Sequence, residues 1–271
     1  GHDCLSVFFR ESGSFPFTGV SRINMYSVFA EQYEKLINLN GATGNVLPTG
    51  IILDENNKEL FLHLVDHNRI DRVIDFENRK GLFPDVHRMY RFCLFVTLGQ
   101  NGSNLYKFYQ TEPGDGSEFI KITLEAIRTI NPNSSTCPSF RTKTDYEIAR
   151  KVYGRFGVLV NESFTQKNFW NIRIRTPFNI ANDSKYFKPR SAGLLPLYEA
   201  KYTYHFNHRY CTWNGVATEP AGEADLARTD YTVGTQYYID PVIVESRFGN
   251  KSWCLVYRKI TNSTNERTMV S

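Results

Sequence analysis

The sequence holds no run of about 18 apolar residues, so no segment reads as a membrane-spanning helix. Its first residues lack a basic stretch followed by an apolar core, so no secretory leader is expected. Cysteine is scarce: five residues in 271, at Cys4, Cys93, Cys137, Cys211 and Cys254. The count is odd, the spacings are wide and no CxxC pair occurs, which argues against a zinc ribbon and a thioredoxin-type redox pair. The expected state is free, buried thiols in a reducing cytosol. Also missing are GxGxxG, GxxxxGK[ST], HExxH and GxSxG, so the common nucleotide, metalloprotease and serine-hydrolase motifs are excluded. No internal repeat and no low-complexity segment is found.

What is present suits a globular chain. Hydrophobic residues make up 41%, aromatics 14% and charged residues 22%, enough apolar mass for a core. The net charge of +4 is mildly basic and compatible with a polyanionic partner.

Periodicity predicts a helix over Arg22–Asn38, with Met25, Val28, Phe29, Tyr33, Leu36 and Ile37 as its apolar stripe and Ser21 as its cap. A short strand ending in Pro48-Thr49-Gly50 follows. Asp54 is placed to cap a second helix over Glu55–Asp66. Strands are expected over Ile70–Phe76 and Met89–Leu98, close enough to form a hairpin. This alternation signals a layered α/β sheet. Gly/Asn/Ser-rich stretches at Gln100–Asn104 and Glu112–Ser117 read as loops. Short helices are expected over Leu124–Ile130 and Thr144–Tyr153, the latter capped by Thr144. From about 160 onward the pattern is weak and reads as mixed α+β with long loops.

His205 and His208 lie three apart with no second ligand cluster, so they read as packing or hydrogen-bonding residues and no metal site is expected. The most informative stretch is Asp75-Phe76-Glu77-Asn78-Arg79-Lys80-Gly81-Leu82-Phe83-Pro84-Asp85-Val86-His87-Arg88-Met89-Tyr90-Arg91-Phe92. It is a basic loop with an aromatic at its tip, set between two strands. One reading is a solvated hairpin with Phe83 tucked into the core. The other is a nucleic-acid contact, with Arg79, Lys80, His87 and Arg88 near phosphates and Phe83 as a stacking platform for a base.

Several stretches together resemble adenine-specific DNA methyltransferases of the Type IIG restriction–modification and phage-defence (BREX-like) class. They are Ser21–Glu31, Val46–Ile51, Asp75–Gly99, Asn131–Arg141, Leu195–Tyr210 and Ile260–Thr268, in the family's order and over nearly the whole chain. The resemblance implies an α/β fold: the C-terminal part of a Rossmann-like, S-adenosylmethionine-dependent sheet over 1–112, then a mixed α+β target-recognition region over 113–271. It implies methyl transfer from S-adenosylmethionine to the exocyclic amine of adenine in double-stranded DNA, in the cytoplasm of a bacterial or archaeal cell. Phe83 matches the family position whose aromatic ring stacks on the flipped base.

Two family features are absent from this sequence: the Gly-rich cofactor loop and the Asn/Asp-Pro-Pro-aromatic tetrapeptide. The expectation is therefore a portion of a longer enzyme, inactive alone, that needs a catalytic half or partner subunit. Further DNA contacts are expected at Arg141 and Lys143, at Arg173 and Arg175 on one face of a strand, and at Lys201, His208 and Arg209. Each of these also reads as a plain surface charge. A catalytically inactive DNA-recognition module, or a subunit of a defence complex, is the alternative. A half-sheet would expose apolar surface, so association or poor solubility is expected.

Overall fold

The computed structural model describes residues 2–114, 116–162, 171–249 and 254–258. The chain divides into two compact units, Gly1–Arg173 and Ile174–Ser271.

The first unit is mixed α/β. Its elements in chain order are α1 (His2–Glu11), α2 (Met25–Leu36), β1 (Ala42–Pro48), α3 (Gly50–Leu53), α4 (Lys58–Asp66), β2 (Ile70–Glu77), β3 (Arg91–Leu98), β4 (Leu105–Gln110), β5 (Ile120–Lys121), α5 (Leu124–Ile130) and α6 (Lys143–Phe156). The five strands form one sheet in the order β1-β3-β2-β4-β5. β2 runs antiparallel to β3, as the hairpin reading required, and parallel to β4. The other pairings, β1 with β3 and β4 with β5, are antiparallel.

Alternation along the strands decides the faces. Val73, Asp75, Cys93, Phe95, Tyr106 and Phe108 point to one face and are buried. Ile51, Ile52, Leu60, Phe61, Leu64, Val65, Ala126, Ile127 and Ile130 join them in one core. Full burial of each large apolar side chain contributes about 1.5–3 kcal/mol. The opposite face carries Val46 and Leu94, 56% and 39% exposed, with Ile74 and Val96 half-buried beside them.

Several local expectations change. Asn24, with no side-chain hydrogen bond, is the N-cap of α2, and the Ser21 hydroxyl donates instead to the Asn56 carbonyl at 2.8 Å. The apolar stripe of α2 is not its buried face. Ser27, Val28, Ala30 and Glu31 are buried, whereas Met25, Phe29, Tyr33 and Leu36 are exposed. The inner face is polar because it is hydrogen-bonded: Ser27 donates to Asn57 Oδ1 at 2.6 Å, and Glu31 Oε2 accepts from the Thr18 N–H and hydroxyl at 2.9 and 2.7 Å. The helix after Asp54 begins as a 3-10 turn over Glu55–Asn57. Asp54 caps that turn by accepting from the Asn56 N–H at 3.0 Å. Thr142, not Thr144, caps α6 in a reciprocal pair with Asp145. Helix α1 and strand β4 had no clear sequence signal. The compositional boundary at 112/113 lies in an exposed turn inside the first unit, because Ile120, Ile122, Ala126, Ile127 and Ile130 complete the same core as the sheet.

The second unit has little regular structure, as the weak periodicity implied. Two short strand pairs form, β6 (Leu195–Pro196) with β9 (Tyr238–Ile239) and β7 (Cys211–Trp213) with β8 (Thr218–Pro220). Helices α7 (Glu223–Ala227) and α8 (Pro241–Phe248) accompany them. Leu197, Tyr202, Tyr238 and Ile239 are buried. The Arg247 guanidinium donates to both oxygens of Asp183, at 3.0 and 2.7 Å, tying α8 to the loop that carries Asp183. Among the described residues no helix is long and apolar enough to cross a membrane.

Candidate functional site

The hairpin between β2 and β3 is ordered from within. Asn78 is fully buried at its base, and its amide donates to the carbonyls of Phe83 and Val86 at 2.9 and 2.8 Å. Its carbonyl oxygen accepts the Phe83 N–H at 2.9 Å. Gly81 takes a left-handed φ of 71° just after the 3-10 turn Asn78–Lys80. One asparagine therefore fixes the loop on both sides of Phe83.

Phe83 is neither tucked into the core nor detached from the sheet. Its ring meets Phe92 edge-on at 4.8 Å, and Phe92 stacks on Phe76 at 5.3 Å, so Phe83 is anchored to the sheet. It is also 42% exposed, and Leu82, Val86, Met89 and Tyr90 around it are exposed as well. The loop presents an aromatic and apolar tip on a rigid base. Its cations are partly engaged. Arg79 pairs with Glu77 at 2.8 Å, Lys80 pairs with Glu112 at 2.8 Å, and Arg88 donates to the Arg79 carbonyl at 3.0 Å. His87 Nδ1 accepts the Met89 N–H at 3.2 Å.

A second cluster, not anticipated from sequence, sits where the parallel strands β2 and β4 end. Asp75 is fully buried and accepts from the Thr49 hydroxyl at 2.7 Å, from Arg91 Nε at 3.1 Å and Nη2, and from the Tyr109 N–H at 2.8 Å. Tyr109 occupies an irregularity in the β2–β4 register, where the pairing slips between Ile74 and Phe76, and has a left-handed φ of 60°. Such a bulge re-aims a side chain. Here it places the Tyr109 ring 4.4 Å from the Arg91 guanidinium and 4.3 Å from that of Arg141, with its hydroxyl 2.9 Å from Ser139 Oγ. The carboxyl ends of parallel strands are where open α/β sheets place their ligand sites. The sequence did contain one signal: Asp75 is an ionisable residue at an inward position of an apolar strand, which demands a partner. Nothing local identified Arg91 and Tyr109 as those partners. A groove lined by Leu53, Asn131, Cys137, Ser139 and Tyr153 lies beside this cluster, through Ser139.

The remaining expected contacts are dispersed. Lys143 opens α6, 3.9 Å from Glu118. Residues 171–179 form no strand, so the shared face expected for Arg173 and Arg175 is not built. The two residues belong to different units, and Arg175 donates to the Arg247 carbonyl at 3.3 Å. Lys201 pairs with Glu199 at 3.0 Å. The His208 carbonyl accepts the Tyr198 hydroxyl. Arg209 donates to the carbonyls of Leu226 and Arg228 at 3.2 and 3.0 Å. The Ile260–Thr268 stretch lies outside the described residues. Among the described residues no group of three or more His, Cys, Asp or Glu side chains could hold a metal ion.

The strand–turn–helix at Pro48-Thr49-Gly50 is closed on itself. It is filled by its own neighbours: Asn57 donates to the Gly50 carbonyl at 2.8 Å and to Tyr26 Oη at 3.1 Å, and a Cβ at Gly50 would meet Tyr26 Oη at 3.0 Å.

No protein-family profile, curated protein or solved structure matches the chain.

Proposed function

We propose that this chain is the DNA-contacting portion of a site-specific adenine DNA methyltransferase of a restriction–modification or phage-defence system. In this reading the first unit, whose sheet and core run on through Ile130, belongs to a Rossmann-like catalytic domain, and the second unit forms the target-recognition region. The observation that carries the reading is the Asn78-pinned hairpin. It holds a half-exposed aromatic, Phe83, among basic residues on a rigid base. A flipped base must be stacked, because extrusion costs a few kcal/mol and an aromatic platform returns about 1–3 kcal/mol. A platform already fixed in place loses little further entropy on binding. The cofactor loop and the Asn-Pro-Pro-aromatic tetrapeptide would be supplied by a partner polypeptide. The lack of both motifs in this sequence favours a second reading, a catalytically inactive DNA-recognition module that serves such a partner.

The test is binding of the full chain to duplex DNA over a range of salt, with and without a mismatched or abasic position, for wild type and Phe83→Ala. The expected result is salt-sensitive binding whose preference for the mismatched duplex disappears in the mutant. A folded chain, checked by circular dichroism, that does not bind at low salt overturns the reading. Adding the chain to a candidate partner separates the two forms: methyl transfer that requires both polypeptides supports the first, and sequence-selective binding without transfer supports the second.

A further inference from the structure

Arg141 and Tyr109 form a site that neither the hairpin nor the sheet core explains. Arg141 is exposed, yet its guanidinium lies 4.3 Å from the Tyr109 ring. Most other cations near this edge have carboxylate partners, Arg91 with Asp75, Arg79 with Glu77, Lys80 with Glu112 and Lys143 more distantly with Glu118, and Arg88 donates to the Arg79 carbonyl. Arg141 makes no hydrogen bond or ion pair with any described residue. A guanidinium stacked on an aromatic keeps its N–H groups free along its edges, in a planar fork that matches phosphate oxygens. Holding the guanidinium over the ring also removes in advance part of the rotamer entropy that a long side chain loses on binding.

The platform is itself built at some cost. Tyr109 adopts a left-handed backbone, which a non-glycine residue rarely takes, and a buried carboxylate clamps its N–H. Arg91, fixed by the same carboxylate, packs on the ring as well. Strain held by a buried ion pair at the carboxyl edge of a sheet marks a surface whose geometry matters. The hairpin rises from the same edge, since β2 ends at Glu77, the 3-10 turn opens at Asn78 and β3 begins at Arg91.

We propose that Arg141, held over the Tyr109 ring, grips a phosphodiester group of the nucleic-acid strand that the hairpin engages, and that Tyr109, Arg91 and Asp75 are its positioning residues. This rests on the DNA-binding reading above and adds to it a fixed backbone contact and its support.

The experiment measures binding of the full chain to duplex DNA against salt for wild type, Arg141→Gln, Arg141→Lys, Tyr109→Phe, Tyr109→Leu and the Tyr109→Leu/Arg141→Gln double mutant. Arg141→Gln is expected to make the slope of log K against log salt shallower by about 0.9, the loss of one phosphate contact, with equal weakening on unrelated sequences. Arg141→Lys keeps the charge but loses the planar fork, and is expected to recover only part of the affinity. Tyr109→Phe keeps the stack and should bind as wild type. Tyr109→Leu should weaken binding, and the double mutant should be no weaker than Arg141→Gln alone. That non-additivity is a readout that a purely structural role of Tyr109 would not produce. An Arg141→Gln variant with wild-type slope and affinity overturns this proposal and leaves the DNA-binding reading standing. Equal binding by wild type and Arg141→Lys overturns the stacked geometry. A folded wild type that binds no DNA overturns both.

Discussion

At the scale of single residues, Asp75 organises the edge of the first unit. It has no exposed surface and satisfies donors from Thr49, Arg91 and Tyr109, so three segments distant in sequence converge on one carboxylate. Removing one partner of a buried ion pair leaves the other uncompensated, which costs about 3–5 kcal/mol. Arg91 keeps 26% of its side-chain surface and can recover some hydration, so the lower end applies. Asp75→Ala is expected to destabilise the chain by about 3 kcal/mol, read from the midpoint of urea unfolding. A change indistinguishable from zero would mean that the pair holds nothing together. In the second unit, the hydrogen bonds from Arg247 hold the Asp183 carboxyl down to about 2, against an ordinary value of 3.8. A carboxyl depressed in the folded state stabilises the fold above its unfolded pKa and loses that contribution as pH falls toward the folded one. Asp183→Asn should therefore be less stable than wild type at neutral pH. The difference should shrink between about pH 4 and pH 2, as followed by chemical denaturation at each pH.

At the scale of elements, the hairpin is the test case. Its basic and aromatic composition was plain in the sequence, but composition does not distinguish a mobile loop from a pinned one. The pin is the single side chain of Asn78, which makes three hydrogen bonds to the loop backbone. At about 1 kcal/mol each, Asn78→Ala should loosen the loop by roughly 2–3 kcal/mol. Limited trypsin digestion should then cut faster after Arg79, Lys80 and Arg88 while the core remains resistant. Unchanged cleavage would show that the Phe83–Phe92 contact alone suffices to order the loop. Helix α2 teaches the converse lesson. Its apolar spacing located the helix correctly, but of the stripe's residues within the helix only Val28 is buried, because Ser27 and Glu31 found partners on Asn57 and Thr18. A satisfied polar side chain can lie inward as readily as an apolar one.

At the scale of the whole molecule, the thiols report on both units. Cys93 and Cys137 are buried, and burial pushes both thiols well up from their ordinary values. The expectation of uniformly buried cysteines fails at Cys4 and Cys254, which are exposed, and at Cys211, which is half-buried. Only a thiolate attacks an alkylating reagent or disulfide. In native protein Cys4 and Cys254 should react with a thiol reagent quickly and Cys211 more slowly, while Cys93 and Cys137 should react only after denaturation. Mass spectrometry of the labelled peptides resolves all five. Fast labelling of Cys93 would mean that the sheet core opens in solution. The apolar sheet face around Val46 and Leu94 is the kind of surface through which chains associate.

What the sequence determined by itself was local and periodic. The strands expected over 70–76 and 89–98 and the helices expected over 55–66, 124–130 and 144–153 are legible to within a few residues because alternation and helical spacing act locally. Cap positions were legible at Asp54 and, two residues off, for α6, where Thr144 was expected and Thr142 caps, but Ser21 missed the α2 cap at Asn24 by three. The aromatic basic hairpin was visible for the same reason: it is one continuous stretch. Tertiary structure decided everything that required distant segments to meet. It paired β4 parallel to β2, drew Ile120–Ile130 into the first core, and left residues 171–179 without a strand. It also closed Thr49, Asp75, Arg91, Tyr109 and Arg141 into one cluster across more than ninety residues of chain. No local pattern encodes that convergence. It follows from a carboxylate that must find donors once it is buried, and the sheet decides which donors are within reach.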